Sequence, residues 1–299
     1  MTGNLLLVIN PRSGKSMAKR VLLDIVTILT DGGCAVTVLP TKAGTQTVER
    51  IAAEAGKYDL IVACGGDGTM NMVVEGVLAS KTQKPIGYIP LGSTNDFATS
   101  MNIPSNYKDA ARAILLGSPA PHDIGNFCGR HFVYIACCGA FTETSYNTSQ
   151  TLKNMFGHAA YIMNLVPGLA EIRPLMLNLE TDDGPVSGKY IFCALANTMS
   201  AAGLIHLDGK HVNFSDGKFE LILIRYPADL LEANRVTAKL LHNDMNDPLI
   251  EIHHTSALRF ASEEPIGWSL DGENGGKHAS SQLTVEKNAV FILKSSKNT

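Results

Sequence analysis

The chain has 299 residues, enough for two ordinary domains that each bury a core, and its 25 basic and 28 acidic side chains leave a formal net charge of −3, which excludes a whole-chain footprint for nucleic acid. The six cysteines (Cys34, Cys64, Cys128, Cys137, Cys138, Cys193) form no C-x-x-C pair and mostly lie in apolar stretches, so reduced, buried, cytosolic thiols are expected rather than disulfides or zinc ligands. No eighteen apolar residues run unbroken, and Leu5 to Ile9 is too short for a signal segment, so neither a membrane span nor a leader is expected.

The first third alternates β-rich runs with helical patterns: "LLLVIN" (5–10), a helix near 15–30, "CAVTVLP" (34–40), a helix near 45–55, "LIVAC" (60–64), a helix near 69–79 and "PIGYIP" (85–90). That rhythm predicts an open, mostly parallel sheet with helices on both faces. Asp31-Gly32-Gly33 is expected to stop the first helix and Gly56 the second. After about residue 124 the texture becomes strands joined by turns, among them the hairpin signal Asp182-Asp183-Gly184, with one long helix near 151–165 and another after Pro227. The expected architecture is an α/β N-terminal domain over 1–124 and a mostly antiparallel β domain over 125–288, with the tail from about 289 to 299 able to return to the first.

Chemistry concentrates in "CGGDGT", where an apolar strand meets a helix. A strand, a glycine turn and a helix opening near Thr69 direct backbone N–H groups and a helix dipole at one point, which suits an anion. Gly65, Gly66 and Gly68 can take positive φ and let a phosphate approach, and Thr69 can cap the helix or bind a phosphate oxygen. Asp67 would repel phosphate unless a divalent cation lay between, which points to Mg-nucleotide. An ordinary β–α turn with Asp67 as N-cap is the competing explanation. Asn71 stands where a dinucleotide fingerprint needs glycine, and Ile9 where a P-loop ending in Gly14-Lys15-Ser16 needs one. Two more glycine turns, "NPRSG" (10–14) and "PLGSTND" (90–96), follow strands of the same sheet, and Thr41 follows another; such loops gather at the carboxyl edge, where ligands bind. Arg12, Lys15 and Lys19 read by spacing as a solvated helix face.

The set "NPRSG", "TKAGT", "CGGDGTMN", "PLGSTNDFA", "HDIGN" and the late "LDGE" resembles the diacylglycerol kinase catalytic-domain family, from about residue 4 to 293, and is most similar to its soluble bacterial lipid kinases. The resemblance implies a lipid kinase that uses ATP and Mg2+, with its active site in the cleft between two domains. It implies nucleotide contacts from Asn10, Pro11, Arg12, Ser13 and Gly14, from Thr41, from Gly65, Gly66, Asp67, Gly68, Thr69, Met70, Asn71 and Met72, and from Thr94 and Asn95. An active-site magnesium and water network would involve Asp67, Asp96 and Asp123, whose plain readings are a turn acid, a helix cap and a strand-end acid. Glu273 corresponds to the general base and Asp271 to its acidic neighbour, although Asp271-Gly272 is itself a favoured hairpin turn. A structural magnesium loop is implied at "NFSDGKFEL", with the Asp216 side chain and main-chain oxygens near Asn213 and Lys218; a bare turn is the alternative.

Two departures bear on the acceptor and the nucleotide: "NTMSAAG" (197–203) replaces a glycine run, and Thr99 stands where an arginine is common. The expected partner is a lipid met at a membrane surface, by peripheral contact at the inner face, with "KNMFGHAAYIMNLVPGL" (153–169) as the candidate contact and a core helix as its competitor. Cytoplasmic location and no nucleic-acid partner are expected, and a homodimer is compatible. The alternatives are a superfamily kinase with a soluble acceptor such as NAD, and a weakly catalytic nucleotide-binding regulator.

Overall fold

The computed structural model describes residues 2–42, 44–139, 174–201, 205–207 and 212–294. The expected helix near 151–165, the candidate contact 153–169 and the end of "NTMSAAG" lie outside the described residues. Two compact units emerge: Met1–Ile124 with Lys287–Thr299, and Gly125–Glu286.

The first unit runs β1 (Gly3–Ile9), α1 (Ser13–Asp31), β2 (Cys34–Pro40), α2 (Gln46–Glu54), β3 (Leu60–Gly65), α3 (Asp67–Ser80), β4 (Ile86–Pro90), α4 (Asp96–Ser100), α5 (Tyr107–Leu116) and most of β5 (Ser118–Phe127). Strands β2, β1, β3 and β4 lie parallel in that order, and the chain's last strand returns to pair with β4 through Ile292 and Ile86. Both faces of β1 are buried, which is why its sequence is a continuous apolar run rather than an alternation. Leu5, Leu7 and Ile9 pack under Ala18, Val21, Ile25 and Leu29 of α1 and Ala110, Ala111 and Ile114 of α5. Helices α2 and α3 pack together, close enough that a Cβ on Gly76 would stand 2.6 Å from Ile51. Gly33, with φ of 89°, ends the α1 region as expected. Gly56 does not end α2; it sits within a 3-10 turn, Ala55–Lys57, that follows Glu54.

The second unit holds β6 (Arg130–Phe132), β7 (Ile135–Gly139), β8 (Leu175–Thr181), β9 (Gly184–Ala196), β10 (Ser200–Ala201), β11 (Ile205–His206), β12 (Phe219–Arg225), α6 (Leu230–Leu241), β13 (Ile250–Thr255), β14 (Ala257–Leu270) and the start of β15 (Glu273–Lys294). Its strand pairs are antiparallel. Strand β9 is shared: its first half pairs with β8, and its second half with β7 on one edge and β12 on the other. Phe127, Phe132, Phe219, Phe260 and Trp268 form the core, with Trp268 set 5.2 Å from Phe127 and 4.8 Å from Phe260. All six cysteines are free thiols; Cys128 is exposed, while burial pushes Cys64 and Cys137 up to about 12.

Candidate functional site

The carboxyl edge of the parallel sheet gathers three loops by backbone bonds that continue the strand ladder. The Asn10 amide donates to Cys64 O at 3.0 Å, Thr41 N to Ile9 O at 2.8 Å and Leu91 N to Gly65 O at 2.7 Å. Asn10 folds the first loop onto itself, its Oδ1 accepting the Arg12 amide at 2.9 Å, and α1 then opens at Ser13. Gly14 is left-handed, and a Cβ there would stand 2.8 Å from Leu91 O, so the first loop and the loop after β4 meet backbone to backbone.

The glycine turn differs from its expected geometry. None of Gly65, Gly66 and Gly68 has positive φ, and Gly66, at φ −90° and ψ −174°, is extended. Their reason is close approach: a Cβ on Gly65 would stand 2.3 Å from Thr69 Oγ1, and one on Gly92 would stand 2.6 Å from the Cα of Gly66. Helix α3 opens at Asp67, two residues early, with Gly66 as N-cap. Thr69 is therefore no cap. Its side chain and that of Met70 are buried, and their amides go to Gly66 O. Asn71 and Met72 are half-buried, while Arg12 and Thr94 are exposed.

Asp67 reaches across to the loop after β4. Its carboxylate accepts the amides of Asp96 at 3.2 Å and Phe97 at 3.3 Å, the first turn of α4. Asn95 makes this possible by turning left-handed, at φ 53° and ψ 48°. Burial raises the Asp67 carboxyl above its ordinary value, and the amides of Phe97 and Asp96 offset only part of that rise. Tyr88, in the strand between the loops, places its hydroxyl 3.2 Å from Gly65 O and 3.3 Å from Asn95 Oδ1. Asp123 lies inside β5 rather than at a strand end; it is fully buried and accepts the Asn288 amide at 2.6 Å.

Asp67 and Asp96 thus come together, but among the described residues no three His, Cys, Asp or Glu side chains converge to hold a metal. One or two carboxylates beside substrate phosphates and water are what magnesium ordinarily takes, so the Asp67–Asp96 pair fits such an ion. In the second unit, Asn213 Oδ1 accepts the Ser215 amide at 3.2 Å, and Asp216 Oδ1 the Lys218 amide at 2.9 Å. Behind this turn Glu220 is 2% exposed and its Oε2 has no partner, a buried acceptor that suits a nearby cation.

The "LDGE" segment is a hairpin turn, Asp271 at φ 49° and Gly272 at φ 83°, joining Leu270 to Glu273. The Asp271 carboxylate is taken up by the amides of Val133 (2.6 Å), Tyr134 (3.0 Å) and Ile135 (3.0 Å). Glu273 is exposed. Sequence reasoning missed Tyr88 and Gly92; a lone tyrosine in an otherwise aliphatic strand was the available signal for the first.

Comparison with known proteins gives the family and the fold. Residues 4–127 match the family model described as the diacylglycerol kinase catalytic domain. A diacylglycerol kinase of Staphylococcus epidermidis is 32% identical, covering 94% of this chain and 89% of that one. One from Staphylococcus carnosus is 30% identical, over 98% and 96% of the two chains. The chain belongs to the diacylglycerol kinase family. The crystal structure of a diacylglycerol kinase from Bacillus anthracis, strain Sterne, shares the fold at a TM-score of 0.79 and 20% identity, covering 98% of this chain and 97% of that one. As a member of this family the protein is a lipid kinase, a transferase, with a two-domain fold of helices and many antiparallel strands. Among the described residues no helix is long and apolar enough to cross a membrane.

Proposed function

We propose that this diacylglycerol kinase relative transfers the γ-phosphate of ATP to the hydroxyl of a diacylglycerol-like lipid, in a Mg2+-dependent reaction, with Glu273 as general base. The observation that carries the nucleotide assignment is the meeting of three loops at the carboxyl edge of the parallel sheet, with Asp67 joined to the first turn of α4. There the backbone of Asn10 to Gly14, Thr41, Gly66 to Gly68 and Thr94–Asn95 would line the phosphates. Thr69 and Met70 contribute the shape of the turn rather than side-chain contacts, being buried. The 1–124 region would be the nucleotide-binding domain, and 125–288 the lipid-acceptor domain.

In the reaction the Glu273 carboxylate takes the proton from the lipid hydroxyl as its oxygen attacks the γ-phosphorus, and the bond to the β–γ bridging oxygen breaks to release ADP. Asp67, Asp96 and Asp123 would hold Mg2+ and its waters, and the ion would supply charge neutralisation of the phosphate oxygens. Asp271, its carboxylate bound to three amides, acts as the anchor that fixes where Glu273 stands. A second magnesium would sit at Asp216 with main-chain oxygens near Asn213 and Lys218. The acceptor would be met at the inner face of a membrane by peripheral contact.

Labelled ATP, Mg2+ and a panel of lipids in mixed micelles, followed by chromatography, should yield a phosphorylated diacylglycerol. Glu273→Gln should keep Mg-ATP affinity while kcat falls roughly 10²- to 10⁴-fold. Near-normal turnover in that variant would return Glu273 to a hairpin residue, and absence of turnover in the native protein would favour the nucleotide-binding regulator.

A further inference from the structure

Tyr88 stands in β4 opposite Ala63 of β3, 2% exposed, its ring 5.9 Å from Phe97 at the start of α4. A buried phenol must place its proton on an acceptor. Besides the Asp67 carboxylate, which lies close enough to couple to it, this one has two acceptors within reach, and they belong to different loops. Gly65 O closes β3 immediately before Gly66-Asp67-Gly68, and Asn95 Oδ1 lies in the turn after β4. Asn95 in turn braces its own loop, accepting the Gly92 amide at 2.8 Å through Oδ1 and donating from Nδ2 to Gly92 O at 3.0 Å. The same two loops touch at Gly66 and Gly92, and Asp67 spans them to the amides of Asp96 and Phe97.

We infer that the Tyr88 hydroxyl is a positioning group for the nucleotide site, holding the Gly65–Gly68 turn and the Gly92–Asn95 turn at a fixed separation so that Asp67 and Asp96 face the Mg-nucleotide already aligned. This rests on the nucleotide assignment proposed above.

The bond pattern separates this role from plain stabilisation. Without the hydroxyl, Gly65 O keeps the Leu91 amide at 2.7 Å, Asn95 Oδ1 keeps the Gly92 amide and the Asp67 carboxylate keeps the amides of Asp96 and Phe97, so no acceptor is orphaned and the ring still packs on Phe97. Losing a partner without stranding one costs little stability. What disappears is the tie between the loops, and misplacement of a phosphate-aligning group is felt in catalysis.

Tyr88→Phe is therefore expected to raise KM for Mg-ATP roughly fivefold or more, leave KM for micellar diacylglycerol unchanged and move Tm by less than about 3 °C. Amide exchange should quicken at Leu91 and Gly92 and stay unchanged in β1. An unaltered KM for Mg-ATP overturns the inference, as does a variant whose Tm and both KM values shift together. Calorimetry on the native protein keeps the two levels apart: if Mg-ATP does not bind it at all, the nucleotide assignment itself has failed.

Discussion

The amide of Val133 donates to Oδ2 of Asp271 at 2.6 Å, although 138 positions separate them in the chain. With Tyr134 and Ile135 adding their amides to Oδ1, the carboxylate organises the start of β7 and the β14–β15 turn as one object. Asp271→Ala would leave three buried donors facing a methyl group and place alanine at a positive φ. A loss of roughly 3–5 kcal/mol is expected from the urea midpoint. Asp271→Asn tolerates the left-handed turn and retains one accepting oxygen, so it should lose about half as much. Equal midpoints for the two variants would show that charge, not acceptor count, holds the turn.

Gly92 is the second site where contact decides the residue. A Cβ there would stand 2.6 Å from the Cα of Gly66 and from Asn95 Oδ1, whereas a Cβ on Gly66 would stand 3.3 Å from the Cα of Gly92. Gly92→Ala should therefore force the two loops apart and weaken Mg-ATP binding more than tenfold, at about 1–3 kcal/mol of stability. Gly66→Ala should be milder, because its φ is open to any residue; Gly66→Val, whose branched side chain crowds the turn, should lose Mg-ATP binding. Titration calorimetry of the three variants orders them, and a harmless Gly92→Ala would refute the contact.

These two sites mark where the sequence could and could not be read. The runs at Leu5–Ile9, Leu60–Cys64 and Ile86–Pro90 are legible as parallel strands because such strands bury both faces, and the glycine loops are legible because their punctuation follows each run. The family followed from six short motifs in order. Long-range partners were not legible: Gly66 looks like a residue chosen for positive φ, and only the position of Gly92 shows that it is chosen for space. Likewise Asp271-Gly272 reads correctly as a type I′ turn, while the three amides that need the carboxylate lie in a segment with no motif of its own.

Asp247, with a side chain 1% exposed, receives Arg235 Nε at 2.8 Å and the Leu249 amide at 2.9 Å. Burial pushes its carboxyl up, but Arg235 and the amide outweigh it, so the folded value lies below 3.8. The pair's contribution is therefore present above about pH 4 and lost as pH falls through the lowered value. Arg235→Ala should lower stability at pH 7, by less than loss of a fully buried pair because Arg235 is 43% exposed. It should also reverse the sign: with burial dominant, the folded carboxyl rises above the unfolded one, and stability then falls as pH rises through that window. Urea midpoints from about pH 2 to pH 6 should rise with pH in the native protein and fall with pH in the variant, and parallel curves would mean that Arg235 does not set the ionisation of Asp247.

The turn at Asn213–Lys218 makes a prediction about metal removal that is independent of catalysis. Gly217, at φ 85°, lets Asp216 Oδ1 close onto the Lys218 amide, and β12 starts at Phe219. One residue further in, Glu220 is buried with Oε2 unpartnered; burial, followed by the charge of Asp216, raises its carboxyl to about 8. Without a cation Glu220 therefore holds its proton at neutral pH, and magnesium with main-chain oxygens and water is chemically suited to take that proton's place. Adding Mg2+ to chelator-treated protein without nucleotide should therefore raise Tm saturably, by the equivalent of about 2–3 kcal/mol at a hundredfold excess over Kd. Asp216→Ala should abolish this increment. If the increment survives in Asp216→Ala, the stabilising ion binds elsewhere and the segment is a bare turn before a strand.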